Sequence, residues 1–178
     1  MLALGTRAPD FELIDVTSGK QIDLATFHGK KALLVMFICR HCPFVKHVEK
    51  ELAKIGQDYK NKDIAIVAIS SNDAEAYPAD APDGLRAQAQ ELGFTFPYCY
   101  DETQAIARAY KAACTPDFFL FDGNRELVYR GQLDDSRPSN GKPVTGADLR
   151  TAIDAVLTGA PISQDQQSSV GCNIKWRD

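Results

Sequence analysis

An α/β fold, with a mixed central sheet flanked by helices, follows from three observations. Two apolar runs, Ala32 to Ile38 and Ile64 to Ile69, have strand length and no polar alternation, which predicts strands buried on both faces. Between them Phe44, Val48, Leu52, Ile55 and Tyr59 recur at helical spacing among charged residues, which predicts one amphipathic helix. Strands joined by such a helix pair in parallel, whereas Phe118 to Phe121 and Glu126 to Arg130 flank the turn Asp122-Gly123-Asn124 and read as an antiparallel hairpin. A sheet holding both pairings is mixed.

The remaining elements follow in chain order. Phe11, Leu13 and Ile14 suggest a first strand, Ser18-Gly19-Lys20 a turn, and Gln21 to Leu24 a short partner, so an N-terminal hairpin lies beside the sheet. Phe27 to Lys31 is a loop. Asn61-Lys62-Asp63 ends the long helix. After the second strand, Ser71-Asn72-Asp73 opens a polar insert that begins as a loop with Pro78 and Pro82. It becomes helical from Gly84 to Leu92, with Leu85, Ala89 and Leu92 on one face. Phe94, Phe96, Pro97 and Tyr98 form an aromatic cluster. Asp101 and Gln104 have capping-box spacing for a short helix, as do Thr145 and Asp148 for a last one with the stripe Leu149, Ile153, Val156 and Leu157. The order is hairpin, β, α, β, α, α, ββ, α. It makes one domain over residues 1–178, with 159–178 as a C-terminal tail whose Ile174 and Trp176 give it an apolar anchor for docking.

Length and composition agree with one folded domain. The 178 residues are 44% hydrophobic, ordinary for a globular chain. The net charge of −4, without a basic stripe, argues against nucleic acid as a partner. No apolar run approaches the roughly 20 residues of a membrane span, and Met1 to Arg7 lacks a signal-peptide pattern, so no membrane association and a cytoplasmic location are expected. Five cysteines leave one unpaired within a monomer, and in a reducing compartment a close pair points to redox catalysis or metal binding.

The chemistry centres on Cys39-Arg40-His41-Cys42-Pro43. It lies where the first buried strand ends and the long helix begins, and Pro43 suits the helix's first turn. Free N–H groups and a partial positive charge at a helix start favour a thiolate. A redox pair is therefore expected. A structural zinc pair is the competing reading, but it needs four donors, and no second Cys-X-X-Cys or His pair is present. No cofactor and no resident metal are called for.

The motifs in order resemble the thioredoxin fold. The resemblance is carried by Cys-X-X-Cys at a strand-to-helix junction, Thr115-Pro116 before a hairpin, and a closing helix. The opening Ala8-Pro9-Asp10-Phe11 and the N-terminal hairpin are similar to its peroxiredoxin (AhpC/TSA-type) and TlpA/ResA-type branch. Phe37 to Lys46, Ser71-Asn72-Asp73, Phe96-Pro97-Tyr98, Asp101 to Gln104, Ala113 to Asp117 and Gly171 to Trp176 resemble peroxiredoxin-like members of the thioredoxin family along nearly the whole chain. The resemblance implies a cis Thr115–Pro116 bond beside the cysteine pair, with Thr115 offering backbone groups to a substrate. Two departures stand out. Leu33 occupies the position of thioredoxin's buried acidic residue, and Cys39 that of the Thr preceding a peroxidatic cysteine.

The expected activity is thiol–disulfide oxidoreduction on protein or small-molecule disulfides, with a thioredoxin- or glutathione-type dithiol reductant. Cys39, as the more exposed, helix-capping thiol of depressed pKa, attacks, and Cys42, tucked one turn in, resolves. His41 stabilises the thiolate. The first alternative is a thiol peroxidase with Cys42 as the peroxidatic cysteine and Cys39 or Cys172 resolving. A second is a redox- or metal-sensing binding protein. Cys172 is a candidate resolving thiol if the tail docks. Cys114, two residues before Pro116, reads either as a neighbour of the pair or as a small buried hydrophobe, Cys99 reads as core, and Arg137 as a surface-loop arginine.

Overall fold

The computed structural model describes residues 1–178. The hairpin is β1 (Glu12–Ile14) with β2 (Gln21–Asp23), a separate antiparallel pair. The two apolar runs become β3 (Ala32–Phe37) and β4 (Ile64–Ser70), every residue buried, paired in parallel and joined by α1 (Pro43–Tyr59). α2 (Pro82–Leu92) starts two residues earlier than expected, because Pro82 fits the first helical turn. β5 (Tyr98–Tyr100) and α3 (Ala105–Ala109) follow. Then come β6 (Cys114–Thr115), β7 (Asp117–Phe121), β8 (Leu127–Gly131), α4 (Ala147–Thr158) and β9 (Cys172–Asn173).

The main sheet has the order β5-β4-β3-β7-β8. β5 joins β4 in parallel, and β7 runs antiparallel to both β3 and β8, so the sheet is mixed. β3, which carries the cysteine motif at its end, is central. Alternation along it splits the core in two. Leu34, Met36 and Ile38 face α1, α2 and α4. Leu33, Val35 and Phe37 face the side closed by α3, the N-terminal segment and Ile174 of the tail. Helices cover both faces, but unequally.

Both expected capping boxes take another form. Asp101 caps α3, accepting from the N–H of Ala107 (3.0 Å) and Ile106 (3.4 Å). Gln104 does not reach back. It sits at φ 66° and turns its amide to the tail. α4 starts at Gly146 (φ 69°), a conformation in which glycine is favoured. Asp148 is held by the Gln132 amide at 2.7 Å instead of closing a box.

The tail is bound along the molecule. Gln167 and Ser169 bond to the backbone of Gln132 and Gly131. β9 pairs antiparallel with β6, setting Cys172 opposite Thr115. Beyond it Ile174 is 1% exposed, whereas Trp176 is 38% exposed. Trp176 therefore does not anchor by burial. Its ring lies under the Arg108 guanidinium, 4.3 Å away.

Candidate active site

The end of β3 delivers the motif. Ile38 makes the last ladder bond, to Ile69. Cys39, Arg40 and His41 then cross to α1, whose N-cap is Cys42 with Pro43 first in the helix. Arg40 and His41 each donate a backbone N–H to one oxygen of Asp80, at 2.8 and 3.1 Å. The other Asp80 oxygen meets His41 Nδ1 and the Asn72 amide, the latter at 3.0 Å. Asp80 is fully buried and ends a one-turn helix, Pro78–Asp80. Tyr77 stacks on the His41 ring with centroids 4.8 Å apart. Gln88 donates to the Cys39 carbonyl and accepts from the Tyr98 hydroxyl.

Thr115–Pro116 is cis, as the resemblance implied. The Thr115 hydroxyl lies 3.6 Å from Cys39 Sγ, and its carbonyl oxygen 3.5 Å from Cys42 Sγ, where it accepts from a protonated thiol. The strand bearing Cys172 approaches Thr115 so closely that a Cβ on Gly171 would sit 2.0 Å from the Thr115 oxygen. Cys172 packs against the core cluster that contains Cys39 and Cys42, near enough to Cys42 to help lower its pKa.

The expected division between the two thiols is corrected on both counts. Neither is exposed: Cys39 and Cys42 each have 0% of their surface accessible. The acidic member is Cys42. The Cys39 thiol donates to it and pulls its pKa down, against burial, with help from Cys172, Thr115 and the Val45 N–H. Cys39 is pushed up by that same hydrogen bond, then by burial and by the negative Asp80. One proton is thus held between two sulfurs, on the Cys39 side. His41 does not serve the thiolate by direct hydrogen bonding; its Nδ1 is held by Asp80.

The other cysteines sort by position. Cys172, half-buried, is pushed up to about 11 by burial and by the negative Cys42 it donates to. Cys114, with Sγ 3.7 Å from the Pro116 oxygen, is raised to about 12, burial first and then Asp117, Cys42 and Cys172. Cys99 belongs to the core on the other sheet face. Arg137 is held by its own loop, donating to the Asp134 and Ser136 carbonyls and to Gln132. It lines a groove with Phe44, His47 and Pro116. Cys39, His41 and Asp80 bring three donor atoms within 4.8 Å of one another. Holding a structural zinc ion there would need a fourth donor and the loss of the His41–Asp80 bond.

Asp80, Asn72, Tyr77 and Gln88 escaped the sequence reading. The prolines on either side of Asp80 were visible, but nothing local marks a carboxylate whose partners lie forty positions away.

Comparison with known proteins adds four findings. A family model described as Redoxin matches residues 3–149. The thiol-disulfide oxidoreductase ResA of Geobacillus kaustophilus is 28% identical over 128 residues, 71% of this chain and 67% of its own. The crystal structure of a hypothetical protein from Sinorhizobium meliloti is 52% identical, covers 99% of this chain and 96% of its own, and superposes with a TM-score of 0.97. The thioredoxin domain of a thiol-disulfide oxidoreductase from Bacteroides vulgatus, 21% identical over 88% of this chain and 99% of its own, superposes with a TM-score of 0.67 and shares the fold.

Proposed function

The chain belongs to the redoxin family, and from that premise we propose that it is a thiol–disulfide oxidoreductase working through Cys39 and Cys42. The observation that carries this reading is the convergence of the pair, at the start of α1, on the cis-proline strand: the Thr115 hydroxyl lies 3.6 Å from Cys39 Sγ and its carbonyl oxygen 3.5 Å from Cys42 Sγ. The order of attack follows the charge. Cys42 attacks one sulfur of a substrate disulfide, and the other sulfur leaves as a thiolate. Cys39 then loses its proton to that thiolate and attacks Cys42 Sγ. The second substrate sulfur is released, and the Cys39–Cys42 disulfide remains. Two electrons pass from the pair to the substrate. Asp80 and Tyr77 hold the His41 segment in place during this exchange.

Protein disulfides are the substrate class, in keeping with the oxidoreductase relatives. Restoration of the pair by a thioredoxin-type dithiol, or by two glutathione-type thiols, is part of the same proposal, as is a cytoplasmic location. Fractionation of cells expressing the tagged protein tests the latter. The deciding experiment for the reaction is insulin reduction with a dithiol donor, alongside capture of mixed disulfides. The doubly substituted Cys39→Ser, Cys172→Ser protein, which keeps no neighbouring resolving thiol, is expected to hold substrate on Cys42. Trapping on Cys39 in a Cys42→Ser variant, with none in the folded double variant, would reverse the assignment.

The peroxidase reading keeps one observation in its favour. Thr115 brings a hydroxyl to the pair from another strand, although the usual Thr position holds Cys39. The two arginines near the pair are bonded elsewhere: Arg40 pairs with Glu91, and Arg137, in the groove with Phe44 and Pro116, bonds to its own loop.

A further inference from the structure

Both thiols of the proposed pair are sealed from solvent, which poses a problem for any reaction with another protein. What covers them is in part the tail. Gly171 lies against the Thr115 carbonyl, Cys172 stands opposite Thr115 in the β6–β9 ladder, and the Thr115 carbonyl is in turn 3.5 Å from Cys42 Sγ. Past it the tail is fastened by Asn72, which accepts from the Lys175 N–H at 2.9 Å, and by Gln104, which grips the backbone at Lys175 and Arg177. Ile174 is buried. Cys172 is therefore held at a fixed place, packed beside the cysteine pair across Thr115 and partly exposed on its other side.

We propose that Cys172 is the site's outlet, a third redox thiol that exchanges disulfides with Cys42 and carries electrons between the buried pair and partners in solvent. This rests on the Cys39–Cys42 reading and deepens it. From the oxidised pair, the Cys172 sulfur attacks Cys42 Sγ. The Cys39–Cys42 bond breaks, a Cys42–Cys172 bond forms, and Cys39 leaves as a thiolate that takes the proton Cys172 gave up. Oxidation of Cys42 also removes the negative charge that helps hold the proton on Cys172. An external dithiol then attacks the accessible Cys172 sulfur. Cys42, the more acidic thiol, is the better leaving group. The second external sulfur frees Cys172 and ends as the partner's disulfide. Two electrons enter, and all three thiols are reduced.

The test uses the full chain. Cys39→Ser protein is oxidised with diamide and mapped by mass spectrometry of non-reduced peptides, with circular dichroism checking the fold. A Cys42–Cys172 peptide pair is expected. In parallel, oxidised wild type and Cys172→Ser are reduced by a protein dithiol in a single turnover, followed by acid quench and thiol labelling. Cys172→Ser should slow reduction about tenfold or more, in line with losing an accessible sulfur and a good leaving group, while a Cys99→Ala control matches wild type. A folded Cys39→Ser protein without the linkage, or equal rates in wild type and Cys172→Ser, overturns the outlet. The parent reading is judged separately, by whether wild type itself forms the Cys39–Cys42 disulfide and reduces insulin.

Discussion

Asp80 accepts from four donors, the backbone N–H groups of Arg40 and His41, the His41 ring and the Asn72 amide. A buried carboxylate so placed fixes the shape of the motif and repels negative charge on Cys39. It keeps the shared proton on Cys39 and hence the thiolate on Cys42. Asp80→Asn retains the shape and removes the charge. Followed by thiolate ultraviolet absorbance against pH, the upper of the pair's two titration steps should move down while the lower stays. An unmoved upper step would mean that Asp80 does not hold that proton. Asp80→Ala leaves several donors unsatisfied and is expected to cost about 2–4 kcal/mol in urea unfolding. The peroxide question is also decided at single sulfurs. Slow peroxide consumption, abolished in Cys42→Ser, is expected; rapid turnover that survives Cys39→Ser would make peroxidase the primary activity. The two thiols were legible from spacing, and so was the cap. Pro43 as the first helical residue already makes Cys42, and not Cys39, the N-cap. Asp80 was not legible, since its partners are brought to it only by folding.

Among the elements, the long ones were readable and the short ones were not. β3, β4 and α1 announce themselves through apolar runs and a 3.6-residue stripe. β5, β6 and β9 have three, two and two residues, too few for any period to register. Yet β6 and β9 decide what covers the site. The docked tail was anticipated from Ile174 and Trp176, but its fastening by Asn72 and Gln104 was hidden, because Gln104 looked like half of a capping box. Two substitutions probe this element. Ile174→Ala removes a buried side chain and should destabilise by about 2–5 kcal/mol, read from the urea midpoint. Gly171→Ala forces a Cβ against the Thr115 oxygen, and that contact is with backbone that cannot step aside. The tail should lift there. Alkylation of Cys42 at neutral pH should then accelerate markedly, with the global fold kept. If Cys42 labels at the wild-type rate in folded Gly171→Ala, the tail is not what seals the site.

At the scale of the molecule, five cysteines scattered over 134 positions of sequence resolve into one core residue, Cys99, and four that lie around the end of the central strand. The fold was legible because doubly buried strands and a helix between them leave few other arrangements. The convergence of Cys114 and Cys172 on the pair was not, since it depends on a ladder between the chain's middle and its end. That convergence has a consequence for global stability. In the folded, reduced protein the pair retains one proton over a wide range, because Cys42 is more acidic than a free thiol and Cys39 less so. In the unfolded chain both titrate near about 8.5. Below that value the unfolded chain binds the extra proton, so the contribution of Cys42 is full above about 8.5, and is lost as pH falls toward its folded pKa. Above about 8.5 the folded state binds the extra proton, on Cys39. That contribution is present at lower pH and is lost as pH rises. The difference in urea midpoint between reduced wild type and Cys42→Ser should therefore climb from about pH 5 to about pH 8 and level off beyond it, because Cys39 titrates in both proteins and its contribution largely cancels. Other titrating groups cancel in the subtraction, and oxidised wild type, which has neither thiol, should lose the dependence. A difference that stays flat from about pH 5 to about pH 8 would show that no thiolate is stabilised by this fold, and the site's chemistry would have to be sought elsewhere.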